Sequence, residues 1–102
     1  MSTKIKIDIQ YFEGCPNSSK LIKSVKKAIT GYEDKIDYRE VLVEDNETAK
    51  EVKFRGSPTV LINGKDLLNE PEPERPAMMC RYYQNGLPSE KTIKSHLKNL
   101  LH

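Results

Sequence analysis

The most constraining feature of the chain is a change of hydrophobic period near its N-terminus. Ile5, Ile7, Ile9 and Tyr11 alternate with Lys4, Lys6, Asp8 and Gln10, which predicts a strand over residues 4–12. Over residues 16–32 the period lengthens. Leu21, Ile22, Val25, Ala28, Ile29 and Tyr32 form one helical stripe, with Lys20, Lys23, Lys26 and Lys27 mostly off it. Pro16 suits the first helical position, where a missing N–H costs nothing, and Gly31 suits the end. Cys15 therefore sits where a strand gives way to a helix.

Residues 36–43 are rich in β-branched and aromatic side chains and predict a second strand. Asp45 or Asn46 can cap a short helix through about Phe54. Gly56-Ser57-Pro58 breaks it, and Thr59 to Ile62 is a short apolar strand. Asn63-Gly64 is a strong hairpin signal, so a fourth strand is expected from Lys65 to about Leu68. Asn69 to Pro76 reads as a solvated loop and Met78 to Tyr83 as a strand or an ordered return. Ser89 can cap a last helix with Ile93, Leu97, Leu100 and Leu101 on one face. The order is β-α-β-α-β-β-α. Strands joined by a helix are parallel with a right-handed crossover. One α/β domain over 1–102 is expected, with a mixed four-stranded sheet and helices on both faces.

Charged residues make up 31% and hydrophobic ones 36% of the 102 residues, with net charge +2. So small an excess gives no reason to expect nucleic acid or a membrane surface as partner. No window has the apolar length of a membrane span. The start of the chain lacks the apolar stretch of a signal peptide, so a cytoplasmic monomer is expected. A disulfide between the two cysteines would there be transient.

A helix N-terminus offers unpaired N–H groups and the positive end of a dipole. A Cys15 thiolate could accept from the amides near Asn17 and Ser18 and from the Ser18 hydroxyl, with Lys20 adding positive charge, and its pKa would fall. Glu13 would oppose this if it pointed inward. The plainer alternative is a small buried side chain filling space at a strand end. Ser57-Pro58-Thr59 is placed to border the same end of the sheet. A cis peptide before Pro58 would leave neighbouring backbone groups free for an extended substrate.

The element order, Cys-Pro-Asn-Ser at 15–18, Gly-Ser-Pro-Thr at 56–59 and the Asn-Gly hairpin resemble the thioredoxin and glutaredoxin superfamily over nearly the whole chain. Phe12 to Asn17, Phe54 to Thr59 and Cys80-Arg81-Tyr82-Tyr83 are similar to a group of small bacterial and archaeal thioredoxin-family proteins. The resemblance implies a three-layer thioredoxin-like fold, Cys15 at the nucleophilic position and Pro58 at the cis-proline position. Ser18 stands where thioredoxins carry a second cysteine, as in monothiol glutaredoxins. Ser57-Pro58-Thr59 replaces the Thr-Val-Pro pattern of that branch, and no Gly-Gly-Cys-Asp-like turn precedes the last helix. Glutathione as co-substrate stays open.

Cys80 has three readings. It could resolve a mixed disulfide on Cys15, if the 78–87 return passes close enough. It could pack between Met79 and Tyr82 as a buried thiol. Or it could join Cys15 in holding a soft metal ion. His96 and His102 do not complete a zinc set, and no resident metal is expected. Arg55 and Arg81 could hold a substrate carboxylate, glutathione or an oxyanion; the plainer alternative is surface arginine. The lysine row could attract an acidic partner, or be the wet face of a helix. Met78-Met79 could line a groove, or fill gaps. Tyr11, Phe12 and Tyr82 could border a ledge for a client peptide.

The expected function is a thiol–disulfide oxidoreductase without a cofactor. Cys15 is its nucleophile, with Cys80 or an external thiol resolving. Pro16, Ser18, Arg55, Ser57, Pro58, Thr59 and Arg81 are the candidate substrate contacts. The partner would be a disulfide-bearing protein or a small thiol. The alternative is a redox-inactive module of the same fold that binds a partner protein or a soft metal ion.

Overall fold

The computed structural model of the chain describes residues 4–76 and 78–101. Its elements run β1 (Ile5–Tyr11), α1 (Ser18–Ile29), a 3-10 turn (Glu33–Lys35), β2 (Ile36–Leu42), α2 (Asn46–Glu51), β3 (Thr59–Ile62), β4 (Lys65–Asp66) and α3 (Glu90–Leu101). The strands form one mixed sheet in the order β2-β1-β3-β4. β1 and β2 are parallel, with Ile5 beside Ile36. β3 runs antiparallel to both β1 and β4.

The period change explains the layering. Side chains alternate across a strand, so Ile5, Ile7 and Ile9 share one face. There they meet Leu21, Val25, Ala28 and Ile29 of α1, and Ile93 and Leu97 of α3. Each such large aliphatic side chain, fully buried, contributes roughly 1.5–3 kcal/mol. Gln10, one residue out of phase with Ile9, faces the other way. Its Nε2 donates to the carbonyl of Val52, just past α2, at 3.3 Å. A smaller core of Val43, Ala49 and Phe54, flanked by Phe12, Val52 and Met78, lies on that side. Among the described residues no helix is long and apolar enough to cross a membrane.

Several boundaries differ from expectation for local reasons. α1 begins at Ser18, not Pro16. Pro16 and Asn17 lie in a turn closed by the Ser18 amide donating to the Cys15 carbonyl at 3.3 Å. It ends at Ile29, and Tyr32 lies outside it. α2 stops at Glu51, because Lys53 takes a positive φ of 54° that a helix cannot continue through. At its start the Asp45 carboxylate caps by accepting from the Thr48 amide at 2.8 Å. The hairpin turn has positive φ at both Asn63 (52°) and Gly64 (83°), which two-residue hairpin loops favour. β4 ends at Asp66 rather than Leu68. The Asp66 carboxylate accepts from the amides of Leu68 (2.9 Å) and Glu70 (3.1 Å) and curls the chain away. In α3, Ile93 and Leu97 are buried, whereas Leu100 is 47% exposed and does not join the core stripe.

Candidate functional site

Cys15 lies between β1 and α1 and is 7% exposed. Its Sγ is bonded to Cys80, 65 positions later, with the two Cα atoms 5.8 Å apart. Cys80 itself is exposed. Met79 and Tyr82 are exposed too, Tyr82 at 85%, so the reading of Cys80 as a packed thiol between them does not hold. Among the described residues no group of three His, Cys, Asp or Glu side chains gathers to hold a metal ion. His96 is on the surface of α3; His102 lies outside the described residues.

Both Ser18 groups expected to face the Cys15 sulfur are engaged elsewhere. The Ser18 amide closes the turn described above. The Ser18 hydroxyl is buried and shares a hydrogen bond of 3.0 Å with the Ser57 hydroxyl. Ser57 Oγ in turn accepts from the Phe12 amide at 3.0 Å. The residue three after Cys15 thus ties the start of α1 to the segment before Pro58. Pro16, Glu13 and Lys20 are exposed.

The peptide bond between Ser57 and Pro58 is cis. The backbone beside it is not free for a substrate. The Ser57 amide donates to the Met79 carbonyl, and the Arg81 amide donates to the Ser57 carbonyl, each at 2.8 Å. These bonds make a parallel bridge with Cys80 opposite Ser57. The Pro58 carbonyl accepts from the Tyr83 hydroxyl. The Gly56 carbonyl accepts from Thr59 Oγ1 at 2.6 Å. Gly56 has φ +107°, and a Cβ there would lie 2.8 Å from the Arg81 Cβ. Only glycine lets the two segments approach so closely.

Arg81 is neither a surface arginine nor an open anion site. Nη1 donates to Asp66 Oδ1 at 2.6 Å and Nη2 to Oδ2 at 3.1 Å, a two-pronged pair. The side chains are 9% and 1% exposed. Nη1 also donates to Thr59 Oγ1 at 3.2 Å. The guanidinium stacks 4.6 Å from the centre of the Tyr83 ring. Burial opposes ionisation of Asp66, but the Arg81 bonds and the amides of Glu70 and Leu68 outweigh it and hold the carboxyl below the usual range. Burial pushes the Tyr83 phenol up to about 12, although Arg81 beside it acts the other way.

Arg55 turns instead to the loop after β4, where Nε donates to the Glu70 carbonyl at 2.9 Å. Lys26 pairs with Glu40 at 3.4 Å. Lys20 and Lys23 line a cleft of about 610 Å³ together with Asn17, Arg81 and Tyr82. Met78 and Phe12 pack on the smaller core, Phe12 edge-on to Phe54 at 6.2 Å; Tyr11 is half-buried. Asp66 and Tyr83 were not among the expected site residues. Each holds the Cys80 segment through a partner at least 15 positions away, which no local pattern announces.

A scan against protein-family models finds no match, and a search of curated proteins finds none either.

Proposed function

We propose that the chain is a thioredoxin-like thiol–disulfide oxidoreductase that works through Cys15 and Cys80. The observation that carries this reading is their juxtaposition. Two cysteines 65 positions apart meet, one of them buried two residues before the helix N-cap Asn17. When the bond opens, a Cys15 thiolate lies near the positive end of α1, which favours the ionised form. That thiolate attacks a client disulfide and displaces one client sulfur as thiolate. Cys80 attacks Cys15 in the resulting mixed disulfide and releases the second client thiolate. The client is reduced by two electrons and the Cys15–Cys80 bond is restored. Two molecules of an external thiol then reopen it and leave as their own disulfide. Lys20 and Lys23 along the neighbouring cleft suit a thiol that carries carboxylates, which favours glutathione as co-substrate. A cytoplasmic setting is consistent with a bond that forms and opens in each cycle.

The test is turnover of a dialkyl disulfide with glutathione as reductant. Cys15→Ser should abolish it. Cys80→Ser should leave a slower reaction that depends on the external thiol for resolution. Full activity in Cys15→Ser would refute the reading. The same adjacency also favours the second reading, a redox-inactive module of this fold. Two thiolates side by side suit a soft two-coordinate ion, and stoichiometric uptake of such an ion without disulfide turnover would establish it.

A further inference from the structure

Around Pro58 the backbone can be followed group by group. The Gly56 carbonyl, the Ser57 amide, the Ser57 carbonyl and the Pro58 carbonyl all have partners within the chain, and Pro58 has no N–H to offer. The strand-like position beside Ser57 is taken by Met79 to Arg81 with a cysteine at its centre. An extended peptide presenting a cysteine would need the same bonds. The occupant has anchors besides the disulfide. Arg81 is clamped on Asp66 and Thr59, Tyr83 bonds to Pro58, and Gly56 closes against Arg81. None of these contacts runs through the sulfur bridge. Meanwhile Cys80 is exposed and Cys15 is buried.

We propose that the Met79–Arg81 segment is a built-in occupant of the strand-docking position at Ser57, locked by Arg81 and Asp66, and that it restricts the site to small thiols and disulfides recognised without their backbone. This rests on the oxidoreductase reading and names its substrate class. The small thiolate attacks the sulfur of Cys80, the more exposed of the two residues. The bond to Cys15 breaks, and Cys15 leaves with the electron pair as a thiolate. A second small thiolate attacks the sulfur of the first, yielding a small disulfide and a Cys80 thiolate. Two thiols are oxidised and the protein disulfide is reduced.

The test is the second-order rate constant for opening the Cys15–Cys80 bond by cysteine, glutathione and a nonapeptide with a central cysteine, each corrected for its thiolate fraction. Any reachable disulfide yields to excess thiol, so the measurement gives an answer whether or not the protein turns over a client. With the parent chain the nonapeptide should show no advantage over cysteine or glutathione, since its backbone finds no free partner beside Ser57. A nonapeptide advantage of about tenfold, roughly one good backbone bond pair, overturns the proposal. In Asp66→Asn, or in Arg81→Lys if that variant does not fold, the lock is weakened and a nonapeptide advantage of about tenfold should emerge. The ratio between thiols is the readout, so a general loosening that speeds all three alike does not mimic it. No advantage in the weakened protein also overturns the proposal, because the position beside Ser57 would then dock nothing.

Discussion

Cys15 and Cys80 reach the same bond from two differently built regions. The Cys15 side hangs on regular structure. β1 ends four residues before it, α1 begins three after it, and Leu21 and Val25 lock that helix to the sheet. The Cys80 side has one bridge residue and no element of its own. Residues 79–83 are fixed by an ion pair, a stacked guanidinium, a phenol–carbonyl bond and two backbone bonds. One region is held by area removed from water, the other by a few directional contacts. The first should be sensitive to lost volume and indifferent to charge, and the second the reverse.

The largest effect expected from this contrast is Arg81→Met. It leaves the Asp66 carboxylate buried without its counter-ion, a loss of about 3–5 kcal/mol. Denaturant unfolding of the reduced protein measures it, and a change under about 1 kcal/mol would place Asp66 in contact with water. Leu21→Ala, on the other side, should cost roughly 2–5 kcal/mol through lost burial and the cavity left behind. At about 4–8 °C per kcal/mol the drop in Tm is unmistakable. It should leave the relative rates at which different thiols open the disulfide unchanged. If Leu21→Ala altered that selectivity as Asp66→Asn is expected to, the two regions would be one cooperative unit.

Gly56→Ala sharpens the comparison at their seam. The added Cβ would stand 2.8 Å from the Arg81 Cβ on a backbone at φ +107°. Overpacking and the unfavourable φ together cost about 2–4 kcal/mol. Part of that strain is relieved if residues 79–81 move away from Ser57. Faster exchange of the Ser57 and Arg81 amide protons would show this, while α1 keeps its protection. Loss of protection throughout α1 would mean that the seam belongs to the main core.

The two regions also differ in how far local sequence reveals them. The alternation of Ile5, Ile7 and Ile9 and the stripe from Leu21 to Ile29 identify β1 and α1, because burial on one face is a local, periodic demand. Asn63-Gly64 identifies the hairpin for an equally local reason. Cys15 at the strand–helix junction follows from those two elements. The Cys80 region yields to no such rule. Its order comes from Asp66, Thr59, Pro58, Ser57 and Gly56, all distant in sequence, and a bridge one residue long has no period. Asp66 also turns the chain after β4, and a carboxylate in a strand gives no sign of that. Gly56 reads as a helix breaker, whereas its structural demand is the closeness of Arg81.

The smallest effect is set by pH, and at acid pH it should separate the two regions. Asp66 has a carboxyl held low. Such a group contributes stability that is present above its unfolded value of about 3.9 and is lost as pH falls through the lower folded value. Tyr83 has a phenol raised to about 12. Its contribution is present below the unfolded value of about 10 and declines as pH climbs toward the folded one, because there the unfolded chain binds fewer protons. Stability conferred by this region should therefore be level from about pH 5 to pH 9 and fall at both ends. Asp66→Asn should flatten its acid limb and Tyr83→Phe its alkaline limb. The buried cluster of Ile7, Leu21, Val25 and Ile93 contains no titratable side chain, but the Tyr38 phenol packed against it is also raised, by burial and by Glu40. That region therefore adds an alkaline limb and no acid one, and Leu21→Ala should leave the acid limb unchanged. An acid limb that survives Asp66→Asn intact would move the acid sensitivity to carboxylates elsewhere and leave the Arg81 clamp a neutral contact in its effect.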